Sequence, residues 1–206
     1  MTMSTRDHHD AALATVPTLR ARWRAQTLTP LRGAVLDVGA GTGNSLPYLT
    51  NATTVACVEP HRGSLRTLRQ LTVNRDGTQV LRGRAEQIPL DDRSADVAIC
   101  CGVLCSVSDQ DQALTEIGRV LRPGGRIVFL EHVAAPRGTW VRRGQSVVAP
   151  FSRWLDHGCD PARDTAAALT RSGLTLVDLS ETRARGPFGT SIPHLAGVAV
   201  RPSLNR

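Results

Sequence analysis

The stretch Asp37-Val38-Gly39-Ala40-Gly41-Thr42-Gly43-Asn44 concentrates the residue types that let a backbone cradle a ligand. Its glycines permit a sharp turn and let a ligand approach the main chain, and the residues that follow offer free N–H groups. Loops of this kind hold several nucleotide-like ligands, so the loop alone does not choose among them. Two details narrow the field. A dinucleotide fingerprint wants glycine at the sixth position of GxGxxG, and Asn44 stands there. An acid, Asp37, lies two residues before the first glycine. A carboxylate beside a pyrophosphate is unfavourable.

The same acid suits a cationic nucleoside without a pyrophosphate, which is the description of S-adenosylmethionine. Glu59 ends the next predicted strand, where a carboxylate can accept hydrogen bonds from both hydroxyls of a ribose. A glutamate at a strand tip is also compatible with a plain solvated loop, and the glycine loop upstream favours the ribose role. Ala85-Glu86 follows the third predicted strand and would flank the adenine, with Glu86 or a nearby main-chain N–H addressing the base.

The elements that must position these residues follow from the hydrophobic pattern. From Ala34 onward, short β-branched runs alternate with amphipathic stretches, the signature of a parallel sheet with helices on its faces. Strands are expected at Ala34–Val38, Thr53–Val58, Gln79–Leu81, Ala95–Cys101, Arg126–Leu130, Leu174–Leu179 and Leu195–Val200. Helices are expected from about Gly43 to Leu49, over Arg62–Asn74 with leucines at 65, 68 and 71 on one face, and over Asp109–Leu121. The last of these stops at Arg122-Pro123-Gly124-Gly125, read as a tight turn. Pro161–Ser172 reads as a further helix closed by Gly173.

Two segments stand apart. Residues 1–30, partly helical from Leu13 to Gln26, form an expected N-terminal cap on the main domain of residues 31–206. Residues 135–158 fall where a crossover helix belongs, but Gly138, Gly144 and Pro150 break them. Their apolar residues suit either an irregular packed helix pair or a lid over a substrate pocket.

Composition removes several classes of function. The 206 residues include no lysine, so the net charge of +7 comes from arginine and lysine chemistry is excluded. Aromatics make up 3%, too few for a stacking platform on single-stranded nucleic acid, and no nucleic-acid partner is expected. The scattered arginines imply diffuse attraction to anions, with acidic lipid headgroups, a peripheral membrane contact, as the alternative. Five cysteines without a CxxC pair read as buried thiols, and no metal site is expected. No run approaches the ~20 apolar residues of a membrane span, and Met1–Asp10 is polar, which makes a cytoplasmic protein the expectation.

At these residues the chain resembles the class I S-adenosylmethionine-dependent methyltransferases. VLDVGAGTGNSLPYL (35–49), VEP (58–60), GRAEQIPLDDRSADVAIC (83–100) and LRPGGRIVFLEHV (121–133) follow that family's motifs in order and spacing. VLCSVSDQ (103–110), EHVAAPRGTW (131–140), LDHGCDPARDT (155–165) and PHLAGVAV (193–200) resemble the methyltransferase-like group that includes microsomal alkyl-thiol methyltransferases, without an N-terminal membrane anchor at the front. Phosphatidylethanolamine N-methyltransferases and quinone C-methyltransferases share much of the motif set.

The resemblance implies a Rossmann-like α/β fold with a seven-stranded sheet in the order 3-2-1-4-5-7-6, the last strand antiparallel. It implies S-adenosylmethionine as cofactor, contacted by Asp37, Gly39, Gly41, Glu59, Glu86, Cys101 and Gly102, with Ala40, Thr42, Gly43, Pro60 and Ala85 beside them. The partner is a small-molecule methyl acceptor, a thiol by preference. Methylating a thiol requires the thiolate, which asks for a histidine or a cationic setting near the methyl. His132, after the fifth strand, and His157, after the broken segment, are the catalytic candidates, each also readable as an ordinary polar or turn residue. A catalytically silent binding protein and, less well, a nicotinamide oxidoreductase are the alternatives from other classes.

Overall fold

The computed structural model describes residues 13–133, 163–186 and 190–203. The expected lid at 135–158, His157 and Cys159 lie outside them.

In chain order the elements are α1 (Val16–Leu28), β1 (Gly33–Val38), a 3-10 turn (Leu46–Tyr48), β2 (Ala52–Glu59), α2 (Arg62–Thr72), β3 (Thr78–Arg82), β4 (Ala95–Cys101), α3 (Gln110–Val120), β5 (Leu121–His132), α4 (Thr165–Arg171), β6 (Thr175–Arg185) and β7 (Ser191–Val200). The strands form one sheet in the order β3-β2-β1-β4-β5-β7-β6. β1, β2, β3, β4 and β5 pair in parallel, while β7 runs antiparallel to both β5 and β6. This is the implied Rossmann-like α/β fold, with its strand order and its single antiparallel strand.

Alternation along the strands loads both faces of the sheet. Leu36, Val38, Ala98, Cys100, Ile127 and Phe129 meet α3 and α4 through Leu114, Ile117 and Leu169. Val35, Cys57, Val97, Ile99, Val128 and Leu130 meet α1 and α2 through Trp23, Leu28 and Leu68. The helices begin at side-chain caps where the sequence supplies them: Thr15 Oγ1 accepts from Thr18 N, Asp109 from Gln112 N and Asp164 from Ala167 N.

Three expectations need correction. The helix expected at Gly43–Leu49 shrinks to the 3-10 turn. Gly43 sits at φ +91°, Pro47 has no N–H to give, and the bonds formed run from Leu46 N to Gly43 O, Tyr48 N to Ser45 O and Leu49 N to Leu46 O. The tight turn at 122–125 is instead a bulge within a longer β5: Ala95 pairs with Leu121 and Val97 with Arg126, with Gly124 at φ +78°. The strand expected to end at Leu179 continues to Arg185, paired with β7 along its length. Its polar second half, Ser180 to Arg185, hid it, because an edge strand needs no apolar face. Among the described residues no helix is long and apolar enough to cross a membrane.

Candidate functional site

The carboxyl ends of β1, β2, β3 and β4 open onto one cavity of about 560 Å³, a size common for small-molecule sites. Parallel strands leave their C-terminal edge unobstructed, so the loops that follow them build the walls. Gly39, Ala40, Gly41, Thr42 and Asn44 line it from the loop after β1, and Glu59, Pro60 and His61 from the end of β2. Ala85 and Glu86 contribute from beyond β3, and Cys101, Gly102 and Val103 from the exit of β4.

Glu59 is almost fully buried, and its carboxylate is held from two sides. Oε2 accepts from Gly41 N at 2.9 Å, while Oε1 accepts from His61 N at 2.9 Å and lies 3.0 Å from His61 Nδ1. The acid at the tip of β2 therefore fixes the glycine loop of the neighbouring strand. Glu86 does similar work across the cavity. Its Oε1 accepts from Ser108 N at 2.7 Å, tying the loop after β4 to the segment after β3. These main-chain bonds outweigh its partial burial and hold the Glu86 carboxyl below the usual range.

Glu131, near the end of β5, is completely buried and supports the opposite wall. Its carboxylate accepts from Val103 N at 3.0 Å and Cys105 N at 3.1 Å. Burial pushes its pKa up, against the pull of these bonds.

Asp37 does not line the cavity. It is buried on β1, where desolvation pushes its pKa up to about 7 against the charge of Arg24 and a hydrogen bond from Ser45. Its Oδ2 is a buried acceptor without a partner. Gly43 is likewise outside the lining and turns the chain under the loop. His132 ends β5, is not among the residues that line the cavity, and stacks on His194 of β7 with ring centroids 5.4 Å apart.

The structure adds residues that the sequence pattern did not single out. Arg20 and Arg24 project from α1 into the cavity, and Ser64, Arg84, Ser106, Val107 and Ser108 complete its lining beside Cys105, whose place next to the β4 exit suggested a pocket wall from sequence. The helix arginines escaped notice because α1 has no amphipathic signal strong enough to say which of its faces is covered. His194 was visible only as part of a motif, and antiparallel pairing puts it opposite His132.

Comparison with known proteins places this geometry. A family model described as a methyltransferase domain matches residues 36–129. Thiol S-methyltransferase TMT1A of Homo sapiens is 33% identical over 172 residues, covering 82% of this chain and 70% of its own. Its relative TMT1B of Homo sapiens is 31% identical over the same shares. The chain belongs to the class I S-adenosylmethionine-dependent methyltransferases, in the group of the thiol S-methyltransferases. A solved geranyl diphosphate methyltransferase in complex with S-adenosylmethionine has the same fold, with a TM-score of 0.71 at 16% identity, covering 89% of this chain and 85% of that one.

A methyltransferase of this family takes its methyl group from S-adenosylmethionine, and the residues present fit that donor. Gly41 is at φ +57°, and a Cβ there would meet nothing closer than 4.0 Å, so the main chain stays open to a ligand. Gly39 is the opposite case, since a Cβ would fall 2.8 Å from Val103 Cγ2 and close the gap between the β1 and β4 loops. The orphaned Oδ2 of Asp37 leaves an acceptor beneath the loop, and its carboxyl, once ionised, a negative charge toward a cationic ligand.

Proposed function

We propose that this methyltransferase acts on the sulfur of a small, lipophilic thiol. The alignment with thiol S-methyltransferases over 82% of the chain carries the reading. The cavity supports it, because the apolar Val103, Cys105 and Val107 share it with the acids Glu59 and Glu86.

When bound, S-adenosylmethionine supplies a methyl group on a sulfonium that is already a good leaving group. The chain's task is to hold the two reactants in line and exclude water. In this proposal Glu59 accepts from the sugar hydroxyls, Glu86 and Ala85 border the base, and Gly39, Ala40, Gly41, Thr42, Gly43 and Pro60 shape the main-chain cradle. Asp37 balances positive charge from below, and Cys101 and Gly102 border the amino-acid portion. His132 and His157 are the residues proposed to contact the acceptor and take its proton, since the thiolate is the attacking form. Residues 1–30 act as a cap on the domain of residues 31–206, with 135–158 as the substrate-side lid.

Incubation with labelled S-adenosylmethionine and a panel of alkyl and aryl thiols tests the proposal. Methyl thioethers and S-adenosylhomocysteine are the expected products. Turnover on none of the thiols, together with turnover on phosphatidylethanolamine or a demethylquinone, would reassign the acceptor. Donor binding without turnover on any acceptor would mark a silent binding protein.

A further inference from the structure

Arg20 and Arg24 lie one helical turn apart on α1, so their side chains leave the same face, and both line the cavity. The Nε of each is buried and has no hydrogen-bond partner. Among the described residues no carboxylate comes within ion-pair distance of either. Two buried guanidinium donors left without acceptors are unusual in a folded chain, since a buried polar group normally finds a partner. When such donors line a cavity, they mark where an acceptor from outside the chain belongs.

The exit of β4 is shaped around this cation pair. A Cβ on Gly102 would fall 2.6 Å from Arg20 Nη2 and 3.2 Å from its Cζ, so the guanidinium rests directly on the glycine. Gly102 also sits at φ +74°, so the backbone favours a glycine there, and a larger residue would displace the guanidinium.

The groups that feel the pair's charge are Asp37 on β1, Cys101 on β4 and His194 on β7; Glu59, Arg84 and Glu86 line the same cavity, and Glu131 on β5 acts on Cys101. None of the acids among them neutralises it by contact. Glu59 and Glu131 spend their oxygens on main-chain N–H groups. Burial pushes the Cys101 thiol up to about 11, while Arg24 and Arg20 both pull it back. A sulfur lining this cavity therefore already feels both positive charges.

We infer that Arg20 and Arg24 form a monoanion subsite at the β4 exit of the cavity. The inference rests on the methyl-transfer reading and extends it, because that reaction brings two groups of this chemistry to the cavity. One is the α-carboxylate of the donor. The other is the acceptor sulfur as its thiolate. A guanidinium pair stabilises either through charge-assisted N–H donors.

Calorimetry on the full chain compares S-adenosylhomocysteine with methylthioadenosine, which has the nucleoside but no amino-acid portion. Arg20→Gln, Arg24→Gln and the double variant are measured beside Arg22→Gln, an exposed arginine on the same helix. If the donor carboxylate fills the subsite, the variants weaken S-adenosylhomocysteine by about tenfold or more and leave methylthioadenosine and the Arg22→Gln control unchanged. If the thiolate fills it, both ligands bind as before, and the apparent pKa in the pH profile of kcat at saturating aryl thiol rises.

A double variant that alters neither readout overturns the inference. Should the variants fail to fold, sulfate titration of the wild-type chain serves in their place. The anion then competes with S-adenosylhomocysteine, or with the thiol at fixed ionic strength, and not with methylthioadenosine. Sulfate that competes with none of them also overturns the inference. Absence of binding by both nucleosides to the wild-type chain would instead count against the methyl-transfer reading itself.

Discussion

Glu59 and Gly41 are joined by a 2.9 Å hydrogen bond in which the buried carboxylate at the tip of β2 accepts from the main chain of the loop after β1. The bond couples two features that are separate in sequence. The acid proposed to hold a ligand's sugar also sets the shape of the loop proposed to cradle the rest of that ligand. Each carboxylate oxygen has a second lone pair, so it can hold the loop and accept from a hydroxyl at once.

Replacing Glu59 by alanine should therefore weaken donor binding twice over, by losing the acceptor and by loosening the loop. The expected loss is about 10- to 100-fold in affinity for S-adenosylhomocysteine, the range for one or two hydrogen bonds to a charged group. Glu59→Gln turns an N–H2 toward Gly41 N or His61 N and should recover little. Titration calorimetry decides it, and wild-type affinity in the alanine variant would remove Glu59 from the site.

Asp37 predicts a pH dependence of stability. Its folded pKa of about 7 lies above the ordinary carboxyl value of 3.8. Between those values the folded chain holds a proton that the unfolded chain has released. The stabilisation from this group is therefore complete at the acid end and is lost as pH rises to about 7. The slope is about 1.4 kcal/mol per pH unit, up to roughly 4 kcal/mol in all. Asp37→Asn should remove that contribution, leaving over the same range the rise from His194, whose pKa is lowered to about 4, and the decline from Glu131, whose pKa is raised. Urea unfolding from about pH 5 to pH 7 measures the difference, and parallel curves for variant and wild type would refute the assignment.

Glu131 should prove a positioning residue for the wall after β4. Truncation to alanine strands the buried N–H groups of Val103 and Cys105, at a cost of about 2–4 kcal/mol. Donor affinity should fall with it, because Gly102 and Val103 lose their support. Glu131→Gln keeps one acceptor oxygen and should cost less than the alanine variant. Equal stability of all three proteins in urea would show that the loop holds itself.

The sheet and the loop were legible because their signals are local. Val97–Cys101 is an unbroken apolar run, so the body of β4 could be read directly, and Asp109 announced the start of α3. The correct placement of Glu59 followed from the same short-range logic, since a strand tip beside a glycine loop has few other places to go. What the sequence concealed depends on contacts across the sheet. Arg20 and Arg24 reach the cavity only because α1 packs on the face that carries Trp23 and Leu28 inward. Glu131 reads as one more polar residue at the end of a strand until Val103 and Cys105 turn their N–H groups onto it. The failed helix after Gly43 shows local signals competing, with glycine freedom and Pro47 together overriding an apolar spacing that looked helical.

The two glycines of the loop should respond differently to the same substitution. Both have positive φ, so alanine at either carries a backbone penalty of about 1–2 kcal/mol. At Gly41 that is the whole cost to folding, since a Cβ there meets open space. At Gly39 the added carbon lies 2.8 Å from Val103 Cγ2 and 3.2 Å from Cγ1, and Val103 cannot retreat while Glu131 holds its N–H. Gly39→Ala should therefore destabilise by about 1–3 kcal/mol more than Gly41→Ala, the range for overpacking a tight site. Trimming the obstacle supplies the check: Val103→Ala should recover most of the extra loss in the Gly39→Ala background and none in the Gly41→Ala background. Equal destabilisation by the two glycine variants would mean that the loop yields as a unit and that Val103 does not constrain it.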